Sequence, residues 1–535
     1  MPGHDVLHQP TRDDVYWTRS NVGEAMPGVL TPLGWTMFGT AGELALRGGP
    51  HMAGLFSKAE AGMPDDPRER ALSVFYGRVA ARAEVFAMIG DRAPGTSGTA
   101  VVDQVLGFVP PGMTDHPSYR RLPIIAARFP YSFLTMERRV ARATRSTDRW
   151  WREETARVAT LGLDDTTTLF ARARHLLNTN MIIASAAVLC VVTPMYEQLN
   201  RLARRHGVDD VNSLMGGYGS HAETAVVQDL WAASRGRIDL AEVVARHGYH
   251  GPREGEISGV MWREDAGPLR RMVDSYRTRP DDAAPELVEA RRRAERLRLE
   301  LELLETVSGP AKAHAALILR LAARAIPQRG VQKVAFLQAL DVARAAARRI
   351  GEHLTLSGVL EDREDVFFLT AAELIGSLPP DVPGTVRDRR ARYSEYLTYD
   401  LPESWHGIPS PTPAGGGRTG VDGVTGIGVS PGVVEGVVRV VTDPSFVEVE
   451  PDEILVAPTT DPSWASIMFV SKALVVDIGG TVSHAAIVAR DLGIPCVVNT
   501  KTGSRDLRTG DVVRVDGRTG RVTVLSRSTP LMEAP

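Results

Sequence analysis

The sequence predicts a multidomain α+β protein, a large and mainly helical domain followed by a small domain of mixed strand and helix. Three observations predict it. From about residue 36 to 375 the chain is rich in Ala, Leu and Arg, with apolar residues at helical spacing. At Trp405–Gly423 (WHGIPSPTPAGGGRTGVDG) Pro and Gly crowd together with few apolar side chains. Beyond it, short β-branched runs bounded by turn residues set the period of strands. At about 100–200 residues per domain, 535 residues suffice for about two to four domains, each able to bury a core.

In chain order, the most apolar segment is Met181–Val192 (MIIASAAVLCVV). It is shorter than the ~18–20 residues of a membrane-spanning helix and Pro194 follows at once, so a buried helix is expected. Leu297, Leu301 and Leu304 repeat at i, i+4, i+7, while Glu289/Arg293, Arg296/Glu300 and Arg298/Glu302 are i, i+4 ion pairs on the remaining faces. Lys333 to Ile350 reads as a helix ended by Gly351, and Arg363–Leu374 as a short extended piece followed by a helix capped by Thr370. The Pro/Gly stretch cannot pack a core and reads as a flexible hinge, with a long surface loop as the alternative. The strands expected after it are Val433–Val441, Glu453–Ala457, Ala473–Asp477 and Pro495–Asn499, then a terminal hairpin of Asp511–Asp516 and Arg521–Leu525. One helix, His484 to about Leu492, is closed by Gly493 and Pro495. The expected domains are therefore 1–405, a hinge at 406–422, and 423–530.

Composition narrows the function. Sixty-two basic against 65 acidic residues leave a net charge of −3, without the positive field that nucleic acid attracts. Only five of the basic residues are lysine (58, 312, 333, 472 and 501), so phosphate chemistry that needs lysine has few candidates. Cys190 and Cys496 form no CxxC or Cys/His spacing, which excludes a disulfide framework or zinc knuckle and fits a reducing cytoplasm. The N-terminal residues lack a basic stretch followed by an apolar one, so no signal peptide is expected. A soluble cytoplasmic protein is the expectation, with neither membrane nor nucleic acid as partner.

The sharpest local signal is Gly479–Pro495 (GGTVSHAAIVARDLGIP). Gly479 and Gly480 allow a sharp turn after a strand, and Ser483 is a good N-cap, which sets His484 at the first helical position. There the imidazole stands beside the unpaired N–H groups of the first turn, where the helix dipole favours negative charge. A phosphoryl group on that ring would meet backbone donors and the hydroxyls of Thr481 and Ser483. A neutral imidazole nitrogen can attack phosphorus, and a phosphohistidine stays reactive enough to pass its group on.

With these residues in hand, the stretch GGTVSHAAIVARDLGIPCVV closely resembles the phosphohistidine swivelling domain of the phosphoenolpyruvate-utilising enzymes, whose signature reads roughly GG-x-x-SHAAIVAR-x-LGIPAVV. The resemblance extends through Gly426–Val441, Ala457–Trp464 and Gly510–Gly517, so it covers the segment 423–525. It implies a β/β/α swivelling domain with His484 as the phosphorylated residue and Gly480, Thr481, Ser483 and Arg490 as supporting positions. Arg490 falls nearly two turns after His484, so orienting the loop or a neighbouring subunit is the alternative to touching phosphate.

The helical region is similar to the acceptor-binding domain of rifampicin phosphotransferase-like members, through Trp17–Leu33, Gly248–Ser258 (GYHGPREGEIS), Trp262–Asp265 and Glu364–Leu374. There are departures: Tyr249-His250 stands where such proteins usually show His-Arg, Arg253 replaces a Gly, and Gly330 follows Arg329 in place of an acidic residue. For Tyr249, His250 and Arg253 a surface loop is the alternative. The ATP-grasp domain that normally phosphorylates the histidine is not expected before Trp17. Neither a GxxxxGK[ST] loop nor a pyruvate-binding barrel after residue 525 is expected.

The resemblance thus implies a phosphotransferase component charged by a separate ATP-grasp protein, as in phenylphosphate synthase, with transfer from His484 to a hydroxyl of a small molecule. Candidate acceptor-binding residues are Arg19, Asn21, Glu24, Tyr249, His250, Arg253 and Glu254. No tightly bound cofactor or metal is expected, and ATP with Mg²⁺ would enter through the partner. Two alternatives stay open: a non-catalytic small-molecule-binding or regulatory homologue, and a dehydratase-type tailoring enzyme in which phosphorylation makes the hydroxyl a leaving group. Among weaker signals, Gly216–Glu223 (GGYGSHAE) reads as a loop at the acceptor site rather than a nucleotide cradle, and Pro94–Thr99 as a turn rather than a nucleophile elbow. Trp17, Trp35, Trp262 and Trp464 fit either an apolar acceptor pocket or the core.

Overall fold

A computed structural model describes the chain except residues 1–4, 21, 27, 107, 207–213, 215–216, 219–222, 415–421, 443–448, 451–452, 461–463, 481–482 and 529–535. Contacts divide it into two compact units. One comprises Met1–Tyr196, Arg253–Met261 and Arg324–Ala414, the other Glu197–Pro252, Trp262–Ala323 and Gly415–Pro535.

The first unit is built on long helices, Pro32–Ala53, Leu122–Arg157, Leu163–Arg205 (its first turns) and Gln328–Leu356, packed on one another. A four-stranded antiparallel sheet accompanies them, with β1 (Tyr16–Thr18), β2 (Leu72–Phe75), β3 (Arg78–Arg82) and β4 (Ser404–His406) in the order β2-β3-β1-β4. Sequence reasoning missed this sheet because its strands are only three to five residues long, and Leu72–Phe75 is buried on both faces and shows no alternation. The sheet also revises the hinge. Tyr16 pairs with His406, Trp405 is buried, and Thr412–Pro413 pairs with Tyr399–Asp400, so 406–414 is largely built into this unit. Of the expected hinge, 415–421 lies outside the described residues.

Two helices run further than the sequence suggested. The apolar segment belongs to a 43-residue helix, Leu163–Arg205, which continues through Pro194. Its ladder widens to a π-helical turn over Val188–Val192, because Pro194 has no N–H for the carbonyl of Cys190. By length and composition alone this helix could cross a membrane; 44% of its most apolar 18-residue window is buried inside the protein. The helix expected to stop at Gly351 runs from Gln328 to Leu356. Gly351 is there for close approach, since a Cβ would lie 2.2 Å from the carbonyl oxygen of Arg363. The segment Arg363–Phe368 is a 3₁₀ turn rather than extended, and Thr370 caps Ala371–Ile375 in a capping box with Glu373.

Inside this unit Arg344 is fully buried. It donates to the carbonyls of Ile257 (3.1 Å), Glu254 (3.1 Å) and Glu256 (3.0 Å) and pairs with Asp341 at 3.2 Å. Asp341 in turn accepts from Trp151 Nε1 at 2.8 Å. One turn on, Arg348 donates to the carbonyls of Ser258 and Gly259. The segment 253–261, which has no regular hydrogen-bonded structure, is thus held to the Gln328–Leu356 helix by guanidinium forks.

The second unit carries an eight-stranded mixed sheet. Its strands are β5 (Gly423–Thr425), β6 (Ile427–Ser430), β7 (Val433–Val440), β8 (Ile454–Ala457), β9 (Ala473–Val476), β10 (Cys496–Val498), β11 (Val512–Asp516) and β12 (Arg521–Ser526). They run in the order β5-β12-β11-β7-β8-β9-β10-β6. Strands β7 to β10 pair in parallel, and β11 and β12 form the expected hairpin. One face is covered by helices Ala465–Val470 and His484–Leu492.

The second unit does not coincide with the expected domain 423–530, because helices from 197–252 and 262–323 share its core. Trp231 and Tyr276 pack against Phe469 at ring distances of 6.2 and 5.3 Å, and Arg279 lies over the same ring. In the helix Pro285–Glu305 the buried leucines are Leu299 and Leu303. The expected stripe of Leu297 and Leu301 is exposed, while the pairs Arg296/Glu300 and Arg298/Glu302 form. Glu289 bonds Gln228 instead.

Removing the Arg344 fork leaves Asp341 buried with its cation gone and three carbonyls short of donors. Arg344→Met is expected to cost about 3–5 kcal/mol of stability, read as a lower midpoint in chemical denaturation.

Candidate functional site

Parallel strands deliver their carboxyl ends to one edge of a sheet, and loops there lie side by side. After β8 comes Pro458-Thr459-Thr460, after β9 Asp477 to Ser483, and after β10 Asn499-Thr500-Lys501. Register confirms the alignment, with Ala457 opposite Val476 and Val475 opposite Val497.

Helix His484–Leu492 forms as expected. Ser483 is extended (φ −67°, ψ 166°) and its Oγ accepts the Ala486 N–H at 3.3 Å, while its own N–H bonds the Gly480 carbonyl at 3.0 Å. Gly493 ends the helix in the left-handed conformation at φ 71°. His484 is buried, and its Nδ1 lies 3.2 Å from the buried hydroxyl of Thr460. Arg490 is buried and donates from Nε to the Val429 carbonyl at 2.7 Å, which ties the helix to β6. Thr481 lies outside the described residues.

Sequence reasoning missed Thr460 and a second polar centre beneath the loop. Asp477 is buried and accepts from Thr500 Oγ1 at 2.8 Å, from the Ser504 N–H at 3.1 Å and from the Ser504 hydroxyl. Asn499 and Lys501, on either side of Thr500, both hold positive φ (59° and 65°). Asp477 thereby joins the β9 and β10 loops. Burial raises its pKa above the usual carboxylate range, against the opposing pull of the Ser504 and Thr500 hydrogen bonds. Thr460 sits inside the APTTDPSW resemblance, but nothing in its spacing from His484 pairs the two.

The expected acceptor residues separate into two groups. Tyr249 and His250, in the second unit, are buried rather than on a surface loop. Their rings lie 4.3 Å apart, and His250 also neighbours Trp262 (5.7 Å) and stacks near His247 (6.5 Å). His247 Nε2 meets Asp229 at 2.7 Å, yet burial keeps the His247 pKa below its ordinary value. Arg253 and Glu254 belong to the first unit. Arg253 adopts φ 53°, in the left-handed region that favours glycine, and it donates to the Val29 carbonyl at 3.0 Å. Glu254 is buried beside the Arg344 fork. Arg19 donates to the Leu401 carbonyl at 3.3 Å. Glu24 lies in the short helix Val22–Ala25, its side chain outside the description, and Asn21 is outside the described residues altogether. Trp17, Trp35, Trp262 and Trp464 are all buried. Among the described residues no group of three or more His, Cys, Asp or Glu side chains could hold a metal ion.

Two measurements test these electrostatics. Asp477 binds its proton more tightly folded than unfolded, so its contribution to stability grows as pH falls toward the ordinary carboxylate range and is lost as pH rises through the folded-state pKa. Asp477→Asn keeps one acceptor oxygen for Thr500 and the Ser504 N–H, turns the other into a donor toward the Ser504 hydroxyl oxygen, and is expected to raise Tm over wild type near pH 8, with the gap closing toward pH 4. Burial pushes the thiols of Cys190 and Cys496 up to about 12. Neither is expected to react with a disulfide reagent near pH 8 until the protein unfolds.

Comparison with known proteins places this geometry. Residues 449–520 match the PEP-utilising enzyme mobile domain, and residues 190–331 match the rifampicin phosphotransferase fourth domain. An uncharacterised protein of Mycobacterium tuberculosis is 34% identical over 281 residues, covering 52% of this chain and 30% of the relative. An uncharacterised phosphotransferase of Bacillus subtilis is 36% identical over 200 residues, 35% of this chain and 24% of the relative. The rifampicin phosphotransferase of Streptomyces sviceus is 30% identical over 302 residues, 52% of this chain and 33% of the relative. The matched stretch therefore spans a third or less of these relatives' length. The resemblance drawn from the sequence holds in these two stretches: one is similar to the mobile domain of PEP-utilising enzymes, the other to the fourth domain of rifampicin phosphotransferase.

Proposed function

We propose that the chain is a phosphotransferase component that carries a phosphoryl group on His484 and delivers it to a hydroxyl of a small-molecule acceptor. The observation that carries this reading is His484 itself, set at the first position of a capped helix with Nδ1 against the Thr460 hydroxyl. That contact fixes the ring and leaves Nε2 as the nitrogen for chemistry. Its lone pair attacks the donor's terminal phosphorus while the bond to the departing phosphate oxygen breaks. The helix N-terminus meets the charge that arrives. In the second half the acceptor oxygen attacks phosphorus, the P–N bond breaks, and the hydroxyl proton passes to a base.

A separate ATP-grasp protein is the proposed source of the phosphoryl group, with Mg²⁺ entering on its nucleotide. Tyr249 and His250 are the leading acceptor-side candidates, because both are buried polar rings in the unit that holds His484. The relatives named as phosphotransferases support the same chemistry.

The test is acid-labile, base-stable label on the chain after incubation with labelled ATP or phosphoenolpyruvate, with and without the ATP-grasp partner. Label is expected on wild type and not on His484→Ala. Thr460→Val, which loosens the ring, is expected to slow labelling about tenfold. Unlabelled wild type under every condition, with an active partner, would sink the proposal in favour of a binding protein.

A further inference from the structure

The helix Leu122–Arg157 carries one outward stripe that its unit leaves bare. Ile124, Ala127, Tyr131 and Leu134 follow at spacings of four, three and four residues or fewer, and Arg138, Arg142 and Arg145 continue the same line. The stripe runs about 30 Å along the helix. Its first half is apolar. Tyr131 and Leu134 are 60% and 74% exposed, and Tyr119, just before the helix, is 68% exposed. Val188, in the π-helical turn that packs on this helix, is exposed as well. The opposite side, with Ile125, Ser132, Met136 and Val140, is the one buried in the unit, so the outward residues add nothing to its core.

The second half of the stripe is cationic. Residues 120–147 hold seven arginines and one acidic residue, Glu137, which pairs with Arg324 at 2.6 Å. Arg120, Arg138, Arg142 and Arg145 are exposed and make neither hydrogen bond nor ion pair among the described residues. Arg139 lies over the Tyr131 ring at 5.4 Å and Arg128 donates to the His51 carbonyl at 3.2 Å, which sets a cation on each flank of the apolar half. Elsewhere on the surface arginines are balanced, Arg298 between Glu295 and Glu302, and Arg246 between Asp229 and Glu242. The chain's net charge of −3 conceals this local excess.

Bare guanidiniums in a row call for several anions at once, and the apolar half calls for cover from water. Nucleic acid would meet the arginines but leave Tyr131 and Leu134 wet. An ordinary protein interface, depleted of charge at its centre, would cover the apolar half and leave the arginines without anions. An anionic bilayer surface supplies both, headgroup phosphates and carboxylates beside an acyl boundary. We propose that this stripe is a peripheral docking face for an anionic lipid surface, with Ile124, Tyr131 and Leu134 inserted among the headgroups and Arg138, Arg142 and Arg145 bonded to lipid phosphates. The helix stays folded in its unit, and docking needs no segment to span the bilayer. The face is independent of phosphoryl transfer at His484 and stands whether or not that reading holds.

The test is co-sedimentation of the full chain with unilamellar vesicles of phosphatidylcholine, alone or with about 30 mol% phosphatidylserine, at low salt. Partitioning is expected to be more than about tenfold stronger onto the mixed vesicles, and to fall at about 0.5 M salt. The triple variant Arg138→Gln, Arg142→Gln, Arg145→Gln and the double variant Tyr131→Ser, Leu134→Ser should each weaken it more than about tenfold, with the melting temperature unchanged because these side chains are exposed. An environment-sensitive dye on Leu134→Cys is expected to shift to the blue on the mixed vesicles, while Cys190 and Cys496 stay buried and unlabelled. Absence of binding, equal binding to phosphatidylcholine alone, or binding that survives the triple variant would each overturn the proposal. A dye that keeps its aqueous emission on bound vesicles would overturn it in favour of an acidic protein partner.

Discussion

Parallel pairing is the constraint on which the second unit depends. Two parallel strands cannot be joined by a tight turn, so each of β7, β8 and β9 must send the chain back across a face of the sheet before the next strand begins. The carboxyl ends of β8, β9 and β10 therefore lie along the same edge, where the loops that follow them gather although they are far apart in sequence. Thr460 and His484, 24 residues apart, meet there. Asp477 then does for the loops what a ladder does for strands, taking hydrogen bonds from Thr500 and Ser504 and giving the β9 and β10 connections a common anchor.

The first unit solves a different problem. Its 253–261 segment has neither helix nor sheet to satisfy its carbonyls, and in a buried place water cannot do so. Arg344 and Arg348, one helical turn apart, supply the donors. A lysine at either position would offer a point charge without the planar fork. The scarcity of lysine thus suits the interior as much as the surface.

Much of this was legible in the sequence where local rules act alone. The strands from Val433 onward, the helix opening at His484, its Ser483 cap and its Gly493 stop, and the Thr370 cap follow from composition at adjacent positions. What was hidden depended on partners distant in the chain. Gly351 reads as a terminator, yet it makes room for the Arg363 carbonyl. Leu297 and Leu301 keep a helical period but face solvent, because Leu299 and Leu303 are the ones a neighbour covers. The N-terminal sheet draws strands from three stretches, one of them beyond residue 400, and its edge strand reaches His406, the first residue of the expected hinge. In the candidate site the histidine and its cap were visible, whereas Thr460 and Asp477 were not, since only tertiary register brings them in.

Arg253 carries a consequence of its own. Its backbone sits at φ 53°, a conformation that side chains branched at Cβ can scarcely enter. Drift at this codon is therefore filtered by shape before chemistry: glycine, asparagine and aspartate are admissible, while valine, isoleucine and threonine are barred. Neighbouring carbonyls clamped by Arg344 and Arg348 keep the loop from relaxing around a poor choice. Variation among homologues at this position would thus record the geometry of the main chain before any chemistry of the side chain.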